Sequence, residues 1–128
     1  MAFSIFSNKD EEKRFSEAVS KIKRIIVVMS GKGGVGKSSV AVNLAYYLAS
    51  QGKNIGVMDV DFHGPSIPKL LGIENRRLDS DRSGKIMPVK ITDSFHAVSI
   101  GLVLDSVDNP VIWRGPMKTS AIKQFFCD

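Results

Sequence analysis

Residues 10–24 (DEEKRFSEAVSKIKR) set Phe15, Val19 and Ile22 at i, i+4 and i+7 in a charged background, which predicts an amphipathic helix. Its acidic start and basic end suit the helix dipole. Such a stripe faces either the core or a docking partner. The pattern then changes. Residues 24–30 (RIIVVMS) are almost continuously apolar and β-branched, which predicts a buried strand. Helical spacing returns over residues 39–50, where Val42, Ala45, Tyr46 and Ala49 fall on one face, and Gly52 follows as a helix stop. Residues 55–59 (IGVMD) predict a second buried strand. Strand, helix and strand at this spacing predict a βαβ unit with a parallel sheet and a right-handed crossover.

Further along, residues 65–72 (PSIPKLLG) predict a short helix, with proline near its start and glycine after its end. The polar stretch 74–84 reads as an exposed loop or hairpin turn. Residues 85–91 and 95–100 are candidate short strands, and Gly115-Pro116 opens a last helix over 117–126. Residues 1–8 are expected to fray. The chain therefore divides into an N-terminal extension, 1–24, and a single α/β domain, 25–128, without repeats or low-complexity tracts.

Between the first predicted strand and the helix lies Gly31-Lys32-Gly33-Gly34-Val35-Gly36-Lys37-Ser38, which fits the phosphate-loop pattern G-x-x-x-x-G-K-[ST]. Glycines let the backbone turn tightly, so that successive N–H groups form a nest for an anion. Lys37 can reach the β- and γ-phosphates, and the Ser38 hydroxyl can ligate Mg²⁺. Ser39 follows in the first helical turn, where free N–H groups and the helix dipole favour phosphate. Lys32 is an additional cation beside the first glycine. It is either a solvated loop lysine or a lysine aimed at the nucleotide of a facing subunit, where it would offset charge during γ-phosphoryl transfer.

Asp59 and Asp61 (DVDFHGPS, 59–66) follow the second predicted strand at its C-terminal end, the edge where open α/β sheets bind ligands. One carboxylate near Mg²⁺ and one near an attacking water would suit γ-phosphate hydrolysis. The plainer alternative is that Asp61 caps the next turn and Asp59 holds a loop. His63 reads as a surface or hydrogen-bonding residue.

Composition narrows the classes. With 43% hydrophobic and 24% charged residues in a chain of 128, one small soluble core is expected. A net charge of +5 suits an anionic ligand, but no basic run with interleaved aromatics marks a nucleic-acid surface. There is no membrane-length apolar stretch and no signal-peptide pattern, so a cytoplasmic location is expected. A single cysteine, Cys127, reads as a plain free thiol.

GKGGVGKS (31–38), MDVDFHGPSIPKLLG (58–72) and WRGPMK (113–118) together resemble the Mrp/ApbC group of P-loop ATPases. These are Nbp35-related iron–sulfur cluster carriers, more distantly similar to MinD and ParA. The resemblance covers about residues 22–126. It implies a three-layer P-loop NTPase fold with a mostly parallel sheet, here incomplete because the C-terminal strands are missing. It implies ATP and Mg²⁺ as ligands, a homodimer closed across the nucleotide, and apo iron–sulfur proteins as recipients, with neither nucleic acid nor membrane as partner. By position, Lys32 matches the lysine that reaches across the dimer and Lys37 the phosphate-loop lysine. Ser38 matches the Mg²⁺ ligand, Asp61 the switch I aspartate that orients water, and Asp59 its neighbour near the metal. The WRGPM segment matches a family signature.

The departures carry expectations of their own. The family continues into a D-x-P-P-G-T-x-D segment and a C-x-x-C pair, and this sequence holds neither. It therefore reads as the N-terminal half of a carrier, without iron–sulfur ligands of the family kind and with impaired hydrolysis. Missing strands would expose apolar sheet edge. Three other readings compete: a MinD/ParA-like positioning ATPase, a small-molecule kinase, and a truncated nucleotide-binding regulator of a full-length partner. Lys32 argues against the kinase, and the GPS and WRGPM segments argue against the positioning ATPase.

Overall fold

The computed structural model describes residues 8–103 and 115–127. Helix α1 (Asn8–Ser20) comes first, then α2 (Lys37–Ser50), strand β1 (Ile55–Asp59) and the short α3 (Ile67–Leu70). A small hairpin, β2 (Asp79–Ser80) and β3 (Ile86–Met87), leads into β4 (Val89–Thr92) and β5 (Phe95–Ser99). A 3₁₀ turn (Ile100–Leu102) follows β5, and α4 is Gly115–Cys127.

The main sheet runs β1-β5-β4. β5 is its central strand, parallel to β1 in the register Ile55↔Phe95 to Asp59↔Ser99 and antiparallel to β4. Because β5 is central, alternate side chains are enclosed: Phe95, Ala97 and Ser99 are all buried. Ala97 joins Ile73, Val89 and Leu102 in the core, with Val57, Leu71, Leu78 and Ile91 packed around them. Val42 and Ala45 are the buried face of α2, as the helical spacing requires, and the Tyr46 ring meets Phe95 edge-on with centroids 5.1 Å apart. Helix α1 packs on α4, where Phe15 and Phe126 meet edge-to-face at 5.3 Å.

Three expectations change. Residues 24–30 form no strand and make no ladder with any described strand, so the expected βαβ unit is not built from them. Ile25, Ile26, Val27 and Met29 stand exposed, Val27 at 73% and Met29 at 81%. Apolar composition supplies a preference for strand, but a strand is stabilised only by a partner edge and a packed face. The sheet is accordingly mixed, with one parallel and one antiparallel pairing among the described strands. The first helix ends at Ser20 rather than near Arg24: Lys21 and Ile22 donate to the carbonyls of Ala18 and Val19, a tightening turn that leaves Ile22 outside the helix and exposed. The strand expected over 85–91 appears as two, β3 and β4; β2 pairs with β3 from within the polar stretch 74–84, whose hairpin turn the Asp81 carboxylate holds; and the last helix falls where the pattern sets it.

Candidate functional site

The site lies where the loop before α2 meets the loop after β1. Two glycines of the first loop hold left-handed backbone, Gly34 at φ 72° and Gly36 at φ 93°, which explains glycine at both positions. Gly36 stands just before α2, so Lys37 and Ser38 begin the helix. Gly31, Lys32, Gly33 and Val35 are exposed along the loop, and the Ser30 hydroxyl donates to the Lys32 carbonyl at 2.8 Å. Ser39 is exposed in the first turn of α2, its carbonyl accepting from the Asn43 side chain.

Across from this loop, Lys37 Nζ donates to Asp61 Oδ2 at 2.8 Å, with both side chains about one-third exposed. Asp61 Oδ1 accepts from the backbone N–H groups of His63 and Gly64, both at 3.2 Å. The hydrogen bond from Lys37 chiefly holds the Asp61 carboxyl below its usual range; the two backbone donors add to this and partial burial opposes it. Asp61 is thus both a turn-capping residue and the counter-ion of the phosphate-loop lysine. His63 is exposed and contributes its backbone N–H.

Asp59 is more deeply placed, at 6% exposure. Its Oδ1 accepts from Asp61 N at 3.1 Å, and its Oδ2 accepts from Ser99 Oγ at 3.0 Å and from Ile67 N at 3.4 Å. The carboxylate therefore ties the end of β1 to the end of β5 and to the start of α3. A buried carboxylate needs such donors.

Three contacts were not visible in local sequence pattern. Ser66 Oγ hydrogen-bonds Ser38 Oγ across 28 positions of chain. Ser99 supports Asp59 from β5. Lys118 on α4 places its ammonium 5.5 Å from the centre of the Phe62 ring, beside Asp61. For Ser99 a signal did exist: strand alternation puts this hydroxyl on the same buried face as Phe95 and Ala97. Of the WRGPM segment, Trp113 and Arg114 lie outside the described residues, and Gly115 to Met117 begin α4. Cys127 is half-buried at the end of α4. No group of three or more His, Cys, Asp or Glu among the described residues could hold a metal ion. No helix among them is long and apolar enough to cross a membrane.

A glycine loop that opens a helix with lysine and serine, facing an aspartate loop at the C-terminal end of a parallel strand, defines a P-loop nucleotide-binding protein. Residues 21–128 match the model of the ParA family described as NUBPL iron-transfer P-loop NTPase, and the chain belongs to that family. It is 49% identical over 118 residues to an iron–sulfur cluster carrier protein of Methanocaldococcus jannaschii, covering 92% of this chain and 40% of that one. It is 47% identical over 115 residues to the cytosolic Fe-S cluster assembly factor CFD1 of Saccharomyces cerevisiae, covering 87% and 39%. A nucleotide-binding protein of Archaeoglobus fulgidus, solved in complex with ADP, superposes with a TM-score of 0.66 at 41% identity, covering 72% of this chain and 38% of that one. The chain thus spans about 40% of the length of the curated relatives it matches.

Proposed function

We propose that this chain supplies the nucleotide-gripping part of an ATP-dependent iron–sulfur cluster carrier. The observation that carries the reading is the facing of Lys37 and Ser38, at the mouth of the glycine loop, toward the Asp61–Ser66 segment. In this reading Lys37 holds the β- and γ-phosphates of ATP, and the loop N–H groups of residues 31–38 line the rest of the phosphate path. Family membership and the ADP-bound neighbour support nucleotide as the ligand.

The residues present suit Mg²⁺, a hard cation that prefers oxygen donors and substrate phosphates: the Ser38 hydroxyl sits at the helix start, bonded to the Ser66 hydroxyl, and the Asp61 carboxylate meets the neighbouring Lys37. When bound, Mg²⁺ neutralises phosphate charge. Ser38 is its ligand in this proposal. Asp61 orients the attacking water once phosphate has taken its place on Lys37. Asp59, expected beside the metal, instead holds the loop, because both its oxygens already accept hydrogen bonds from protein donors. Lys32, exposed on the loop, acts on the nucleotide of a second copy in a homodimer. Cluster transfer to apo iron–sulfur proteins in the cytoplasm belongs, in this reading, to the whole carrier.

Calorimetric titration with Mg-ATP, with solution mass followed in parallel, tests this. Saturable binding is expected, lost in Lys37→Ala and largely retained in Lys32→Ala, which instead loses nucleotide-dependent dimerisation. Equal loss of binding in the two variants would sink the role given to Lys32.

A further inference from the structure

Ser66 occupies the position just before α3, where a serine side chain ordinarily caps the first turn of the helix. Here it makes no such cap. A cap at this position takes the second or third N–H of the helix; the second position is Pro68, which has no N–H, while the first N–H, that of Ile67, goes to the Asp59 carboxylate at 3.4 Å. The Ser66 hydroxyl is thereby released from local work and reaches Ser38. Its position is fixed from both sides. Asp59 holds the following residue, and Pro65 before it lies so close to Gly101 that a Cβ there would come within 2.9 Å of Pro65 Cγ. A hydroxyl held between two anchors, on a segment that otherwise has no need of it, is a positioned group.

The chemistry of its partner says what it positions. A serine hydroxyl has one proton and two lone pairs. To ligate a cation, Ser38 must turn a lone pair toward it and direct its own proton elsewhere. We infer that Ser66 is a positioning residue for the divalent cation: its Oγ accepts the Ser38 proton and so orients the Ser38 lone pair toward Mg²⁺. Either hydroxyl of the pair can donate, and the sense required here needs only rotation of the two O–H bonds. Half-buried Ser66 can then donate its own proton to water. Outer partners that orient a metal ligand in this way typically change metal affinity by about 10- to 100-fold when removed. The inference rests on the nucleotide-site reading proposed above.

The test is calorimetry of the full chain with ADP, first in EDTA and then across a Mg²⁺ series, for wild type, Ser66→Ala and Ser66→Thr. In Ser66→Ala the Mg²⁺ concentration that gives half of the Mg²⁺-dependent gain in ADP affinity should rise about tenfold or more. ADP binding in EDTA should stay unchanged, and Ser66→Thr, which keeps the hydroxyl, should restore the wild-type midpoint. An unchanged midpoint in Ser66→Ala overturns the inference. Equal weakening with and without Mg²⁺ also overturns it, by reducing Ser66 to a structural support of the loop. Wild-type chain that binds no ADP under either condition overturns the nucleotide-site reading itself, and the inference with it.

Discussion

Residues 25–29 (IIVVM) and 55–59 (IGVMD) are both short, apolar runs, yet only the second is a strand. Residues 55–59 lie in five-residue parallel register with β5, under α2 and against the core. Residues 25–29 make no ladder with a described strand and leave Val27 and Met29 mostly in solvent. The more β-branched run is the one that pairs with no described strand. The difference lies in what stands beside each run: β5 offers an edge at residues 95–99, forty positions away from its partner in β1. Pairing is a long-range property that no window on the chain contains.

Substitutions can break this comparison. Phe95 is fully buried in β5, and Phe95→Ala should lower unfolding free energy by about 3–5 kcal/mol, enough to unfold much of a small domain. Denaturant titration followed by circular dichroism checks it, and a loss near that of a surface change would place the core elsewhere.

Acid gives a smaller effect. The Asp61 carboxyl is depressed in the folded chain, mainly by the hydrogen bond from Lys37, so its contribution is present above the unfolded value and is lost as pH falls through the folded one. Stability of the wild type relative to Asp61→Asn should therefore be level above about pH 4 and converge only below it. Convergence already near neutral pH would mean that the Lys37–Asp61 contact does not form in solution.

The smallest effect on stability belongs to Val27→Lys, expected within about 0.5 kcal/mol because the side chain packs on little. Its effect should instead appear in light scattering as reduced self-association, since exposed β-prone runs recruit one another. Unchanged scattering beside a large loss of stability would show that residues 25–29 pair within the chain after all.

How far the site could be read from sequence divides along the same line. The glycine loop was legible because its constraint is local: left-handed backbone at Gly34 and Gly36 and a helix starting at Lys37 follow from neighbours in the chain. The placing of Asp59 and Asp61 at a strand end was legible for the same reason, and α2 was legible from its apolar face. What each carboxylate touches was not. Asp59 answers to Ser99 on another strand, and Asp61 answers to Lys37 on a helix that precedes it. Ser66 stands just before a short helix whose second position, Pro68, offers no N–H to cap, and nothing local to it shows that its hydroxyl meets Ser38.

In the reading proposed above, the Lys37–Asp61 contact makes loading of this loop an exchange of anions rather than a simple capture. An arriving phosphate would displace an internal tenant, and its affinity would be the difference between two charge-assisted bonds. The same carboxylate grips the amides of His63 and Gly64 and is next in the chain to Phe62, on which Lys118 of α4 rests. Occupancy of the loop would thereby be written into the posture of a segment that touches α4, and a fluorophore on that helix would read the exchange without touching the ligand.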